Sequence, residues 1–187
     1  MPLTTLEDSI RPFQTEPWCL RLIRDPAYTA HTPKTRTGSP DAQDEFFAKT
    51  MNLPHCLPGF LCLDRIPTKP DGVVEERITL YAIGQGLEGW IGMTHGGMVA
   101  ALIDEATVMA LQCNVRQGGP WGAQKVVTKY LNIAYVRPVP APAVVQCRAK
   151  VEKVEGRKIF YKTYLQDGDG DDLAVGDSLY VMLNQKL

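Results

Sequence analysis

The sequence predicts an α+β fold in which one long helix lies against a large antiparallel sheet. Three observations carry this. The segments run in the order strand, strand, long helix, four strands. The turns between strands are short, which favours antiparallel neighbours. The helix is apolar nearly all round, the mark of a helix buried by other layers.

Residues 1 to about 38 show little periodicity and read as an arm, and AHTPKTRTGSPD (30–41) is a loop by composition. Ser39 followed by Pro40 is a helix-start signal, a cap and a first-turn proline. A short helix is therefore expected over DAQDEFFAKTMN, with Phe46, Phe47 and Met51 turned onto apolar surface. This arm with its short helix takes residues 1–55, and the main domain takes 56–187.

Within the main domain, 59–66 and 73–83 read as strands joined by the turn PTKPDG. The long helix is expected over about 96–113, closed by RQGGPWG. Four more strands follow at 123–136, 143–154, 158–166 and 173–183, linked by RPVPAP, EGR and DGDGDD. The sheet should thus hold about six strands.

Of the 187 residues, 44% are hydrophobic and 22% charged, enough for a sizeable core. Twenty basic and 21 acidic residues leave a formal charge of −1, and no basic run stands out. That argues against nucleic-acid binding and against charge-driven membrane association. No apolar run reaches the roughly 18 residues of a membrane span. Cys19, Cys56, Cys62, Cys113 and Cys147 are odd in number and widely spaced, and the first residues carry Glu7 and Asp8 with no apolar core. Free thiols and a cytoplasmic location are the expectation. His31, His55 and His95 show no metal-ligand spacing with the cysteines, so no metal and no cofactor are expected.

The informative stretch is THGGMVAALIDEA, residues 94–106. On a helical wheel, Met98, Val99, Leu102, Ile103, Ala106, Met109, Ala110 and Cys113 share one face. The opposite face holds Gly97, Ala100, Ala101, Asp104, Val108 and Leu111, with Thr107 at its edge. Asp104 therefore sits among small and apolar residues, while Glu105 borders the main stripe as a structural acid. A buried carboxylate is paired, hydrogen-bonded or protonated. A fixed one is also what a general base or carboxylate nucleophile needs. The alternative is a structural ion pair with an arginine.

His95-Gly96-Gly97 opens this helix. Unpaired N–H groups and a partial positive charge gather there, and glycine lets a ligand oxygen come close. Such a turn can polarise a carbonyl. A tight strand-to-helix connection needing glycine explains the same residues. Other motifs carry less. GQGLEG fits GxGxxG but opens no helix. DGDGDD lacks the closing glutamate of a calcium loop, with Ser178 in that place. Ser9, Ser39 and Ser178 all lie outside a GxSxG elbow.

Taken together, HGGMVAALIDEA, VVTKYLNIAYVRPVP and KVEGRK resemble the hotdog-fold acyl-CoA thioesterases of PaaI type, over about residues 73–183. Within them the likeness is to the branch of thioesterase superfamily member 4 and its fungal relatives. The resemblance implies a hotdog fold, a long central helix wrapped by a curved antiparallel sheet. It implies homodimers joined sheet edge to sheet edge, often doubled to homotetramers, with the active site at the dimer interface. The implied substrate is an acyl-CoA or acyl-carrier protein thioester, and the reaction is hydrolysis. Asp104 would be general base or nucleophile. The backbone N–H of Gly96 or Gly97 would polarise the carbonyl, Thr128 would place the water, and the His95 side chain would be structural.

Two departures stand out. Gly89 occupies a position where some members carry Asn or Gln, and NVRQGGPWGAQ lengthens the path from Asp104 to Thr128. Trp90 and Met93 are candidates to line an acyl pocket. Arg137, Arg157 and Lys158 are candidates for the phosphates of coenzyme A, which favour charge-assisted bonds from Arg and Lys. Two other readings keep the fold: a tailoring enzyme of dehydratase or isomerase kind, and a non-catalytic acyl-CoA-binding module.

Overall fold

The computed structural model describes residues 5–38, 45–68, 72–116 and 126–183. The Ser39-Pro40 cap, Trp121 and most of the Gly/Pro loop after the long helix lie outside these. In chain order the elements are helix α1 (Leu6–Ile10), helix α2 (Pro17–Arg24), strand β1 (Tyr28–His31) and the helical turn α3 (Lys34–Thr37). Strands β2 (Gly59–Arg65) and β3 (Glu76–Ile83) follow, then the small hairpin β4 (Glu88–Trp90) and β5 (Met93–Thr94). The long helix α4 (Gly96–Arg116) precedes β6 (Val126–Tyr135), β7 (Ala143–Glu155), β8 (Lys158–Gln166) and β9 (Asp172–Met182).

The main sheet is antiparallel throughout, in the order β1-β2-β3-β7-β8-β9-β6. It has seven strands where six were expected, and the seventh, β1, comes from the arm. The reason lies in β2 and β3. Their inward residues Phe60, Cys62, Tyr81 and Ile83 join the core under α4. Their outward residues Leu61, Leu63, Ile78 and Leu80 are buried by Phe13 and Cys19 of the arm. A strand apolar on both faces needs a layer on each side, and the arm supplies the second. The segment read as a loop at 30–41 accordingly begins inside β1, and Lys34–Thr37 forms a helical turn.

Of the short helix expected in the arm, the described part is a π-helical turn over Phe46–Thr50. Phe47 and Met51 are buried as anticipated, with Phe47 edge-on to Phe60 at 5.7 Å, but Phe46 stays exposed.

All eight residues of the predicted α4 stripe are buried. The helix runs to Arg116, past the expected end. Ile103 sits directly on Gly176 of β9, where an added Cβ would lie 2.7 Å from its Cγ2. By length and composition α4 is apolar enough to cross a membrane, but here it is the core helix, half buried against the sheet. Its other face, with Ala100, Ala101, Asp104 and Val108, is half-buried. That face looks toward β6, an edge strand bonded only to β9.

The arm is also locked by charge. Arg77 is buried beside Asp64 (2.7 Å), against His31 of β1, and donates to the Met109 carbonyl of α4. Tyr28 of β1, Arg148 and Lys150 converge on Glu76.

Candidate active site

The α4 entrance is fixed by backbone bonds from three directions. The His95 N–H donates to Leu87 O (2.8 Å), Thr94 N–H to Val139 O (2.8 Å), and the Thr94 hydroxyl to Pro140 O (3.0 Å). Met98 and Val99 N–H both donate to His95 O, so His95 is the residue that starts the helix. Its Nδ1 accepts the Gly97 N–H at 3.0 Å. The imidazole thus caps the helix that its own backbone begins. Of the two amides proposed from sequence, the Gly97 N–H is engaged by His95. Gly96 contributes the first N–H of the helix, which has no preceding carbonyl to bond. Its own carbonyl accepts the Tyr135 hydroxyl at 3.0 Å. Gly96 and Gly97 are both exposed.

Gly89 also has a structural reason. A Cβ there would lie 2.8 Å from His95 Cα, so a longer side chain would displace the turn that holds the amides. The glycines of GQGLEG serve packing as well. Gly84 and Gly86 donate to the Cys56 and His55 carbonyls, and a Cβ on either would strike His55. DGDGDD is the β8–β9 turn, closed by Asp167 Oδ1 accepting from the Asp169 and Asp171 amides.

Asp104 is half-buried rather than fully buried, because its helix face is left partly open beside β6. It does not pair with an arginine. The Tyr180 hydroxyl of β9 donates to its Oδ1 at 3.0 Å. Burial first, then the Asp104 charge and hydrogen bond, hold the Tyr180 phenol far above its ordinary range, so it stays a neutral donor. Thr128 is opposite Tyr180 in the β6–β9 register. The long loop thus leaves Thr128 on the strand beside Tyr180, the residue bonded to Asp104. Sequence reasoning missed Tyr180, whose partner lies 76 residues away.

Within one chain the site has two halves. Eight residues of helix separate Gly96 from Asp104, about 12 Å along the axis. On β6, Tyr135 stands beside Gly96 and Thr128 beside Tyr180, roughly 23 Å apart along a strand. A thioester carbonyl resting on the Gly96 amide is beyond hydrogen-bond reach of the Asp104 carboxylate of the same chain.

The remaining candidates separate in the same way. Trp90 (73% exposed) and Ile91 (89%) tip the β4–β5 hairpin beside the amide turn, lining an open recess of about 350 Å³ with Glu88 and Gly89. Met93 is half-buried and bridged to Pro140. Arg137 ties the β8–β9 turn, pairing with Asp171 (3.2 Å) and Asp167 (3.6 Å) and donating to Asp172 O. Arg157 and Lys158 lie at the β7–β8 turn, where Arg157 O accepts the Met182 N–H, near the end of the sheet that holds Tyr180. Among the described residues, no group of three or more His, Cys, Asp or Glu side chains is placed to hold a metal ion.

A helix-borne aspartate under a wrapping antiparallel sheet defines a hotdog-type domain, and comparison with known proteins shows what it is similar to. Residues 91–174 match the profile of the thioesterase superfamily. The chain is 36% identical over 92 residues to the acyl-coenzyme A thioesterase THEM4 of Xenopus laevis, and 35% identical over 97 residues to that of Mus musculus. The matched segments cover 49% and 51% of this chain but 38% of either relative, so the chain spans well under half of their length. Among solved structures it is similar to a thioesterase superfamily protein with TM-score 0.53 and 24% identity, covering 70% of this chain and 60% of that one. The E. coli PaaI protein of the phenylacetic acid degradation operon gives TM-score 0.50 at 17% identity, covering 58% and 73%. At these identities the solved structures speak to fold alone.

Proposed function

We propose that the protein hydrolyses acyl-CoA thioesters at a site completed by a second copy of the chain. The observation that carries this is the fixed, half-exposed Asp104 carboxylate on the same helix that opens with the Gly96 amide. Antiparallel pairing of β6 with its copy, about a two-fold axis near Leu131 and Asn132, sets Thr128 of one chain against Tyr135 of the other. The Asp104 half of one subunit then meets the amide half of its partner, which a two-fold interface does twice. The kinship to relatives named acyl-coenzyme A thioesterase supports the substrate class.

The chemistry follows from the two halves. The thioester carbonyl accepts the Gly96 N–H at the positive end of α4, which stabilises the oxyanion as it forms. Asp104 takes a proton from water held by Thr128, the water oxygen bonds to the carbonyl carbon, and the carbon–sulfur bond then breaks to release the thiol. Direct attack by the carboxylate is the variant of this step, and oxygen from labelled solvent appears on Asp104 in a single turnover only in that variant. Arg157 and Lys158, near the Tyr180 end of the sheet, are the candidates for the coenzyme A phosphates, whereas Arg137 keeps to the β8–β9 turn.

Release of free thiol from a panel of acyl-CoA and acyl-carrier protein thioesters tests the reading. Wild type is expected to turn over acyl-CoA and Asp104→Asn to lose activity. Equal rates for the two would refute it.

A further inference from the structure

Asp104 is held by a tyrosine that neither the motif nor the resemblance points to. Tyr180 is 2% exposed, its ring set edge-on to Tyr161 at 6.0 Å among Ala110, Leu111, Ile159 and Met182. That packing fixes where its hydroxyl stands. The hydroxyl has one proton, which goes to Asp104 Oδ1 at 3.0 Å. Its oxygen can therefore only accept from other donors, and Thr128 stands opposite it in the β6–β9 register. The Thr107 proton is already given to the Ile103 carbonyl at 2.7 Å, and its hydroxyl meets Thr163 at 2.7 Å. The bond thus runs from Tyr180 to Asp104, and Thr128 stands opposite Tyr180 on the neighbouring strand. Among the described residues, no other side chain bonds to Asp104, and its second oxygen, Oδ2, remains available on a half-exposed face.

We propose that Tyr180 is a positioning residue for the thioesterase reaction, fixing Asp104 through Oδ1 so that one water bridges Asp104 Oδ2 and the Oγ1 of Thr128, which stands opposite Tyr180 on β6. This rests on the proposed function above. A water so held donates one hydrogen to each oxygen and turns a lone pair toward the partner-bound carbonyl. The proton that Asp104 removes is the one facing Oδ2, and Tyr180 keeps its own throughout.

The test compares wild type, Asp104→Asn and Tyr180→Phe on one acyl-CoA substrate across pH. Tyr180→Phe is expected to lower kcat by roughly 10- to 100-fold, as loss of a fixed geometry does, with KM little changed. Loss of a hydrogen bond to a carboxylate should also move the acidic limb of the kcat/KM profile to higher pH. A fall in kcat with an unmoved limb indicates packing alone and overturns the proposal, as does a wild-type profile. An active Asp104→Asn overturns the proposed function and this inference together. An inactive Asp104→Asn beside an unaffected Tyr180→Phe overturns only the role of Tyr180. Should Tyr180→Phe not fold, 3-fluorotyrosine placed at position 180 keeps the hydroxyl and strengthens it as a donor. The limb should then move to lower pH, and an unchanged limb overturns the proposal.

Discussion

The imidazole of His95 accepts the N–H of Gly97 through Nδ1 at 3.0 Å, within a single turn of chain. The histidine of this motif is therefore committed to the helix end, and Gly96 beside it is exposed. His95→Asn preserves a capping acceptor and should retain most of the activity. His95→Ala removes the cap, worth about 1 kcal/mol, and should lower both Tm and kcat. Rates and thermal melts of the two variants decide this. Equal inactivation of both would give the imidazole a chemical part.

Gly89 tests the same turn from outside. An alanine there meets His95 Cα at 2.8 Å, and backbone cannot yield as a side-chain tip can. A displacement of about 1 Å at a reacting group can cost on the order of 100-fold. Gly89→Ala should thus lose much of its kcat while its melting temperature changes little, since the β4–β5 hairpin stands outside the main sheet.

The shared site predicts complementation. Gly96→Pro deletes the amide hydrogen at a first helical position, where proline is accommodated. Asp104→Asn deletes the carboxylate. Each variant alone should be inactive. Mixed and allowed to exchange, half the dimers would be hybrids with one intact site, giving about a quarter of the wild-type rate. No recovery on mixing would place both groups at one site within a single chain.

Acid should loosen the arm. Burial pushes the Glu76 carboxyl up, but the Lys150 hydrogen bond and the Arg148 and Lys150 charges outweigh it and hold the group below its ordinary range. Asp64 is likewise held low, with His31 and Arg77 outweighing burial. A depressed carboxyl stabilises the fold above its unfolded pKa, near ~4, and that stabilisation disappears as pH falls through the lower folded value. Urea midpoints should therefore drop below about pH 4, and drop less in Glu76→Gln than in wild type.

All five cysteines are free and buried. Burial pushes the Cys19 thiol up to about 12, with Glu16 adding to it, and the Cys62 thiol up to about 11 against the pull of Arg77. The nucleophile in disulfide exchange is the thiolate. A native sample at pH 8 should react with a chromogenic disulfide only slowly, then rapidly with five thiols once unfolded. Rapid reaction of the native protein would contradict this burial.

The long helix and its buried stripe were legible because 21 residues give the 3.6-residue period room to repeat. The arm was not, since α2 has eight residues and β1 four, too short for a period to declare itself. A signal was nonetheless present in FLCL and ITLYAI, whose failure to alternate asks for cover on both faces. The placement of Asp104 at a helix-borne site could be reasoned from its neighbours. Its bond to Tyr180 could not, because that contact exists only once the β6–β9 register and the seat of Ile103 on Gly176 are set.

The arm strand has a consequence for how the molecule ends. A sheet has two borders, and here they are unequal: β6 offers ten residues, β1 only four. Joining two molecules through β6 uses up the long border of each and leaves only short ones facing out. Sheets with such borders make poor templates for further strands. The arm thus acts as a selvedge, leaving at that edge a border too short to seed a fibre.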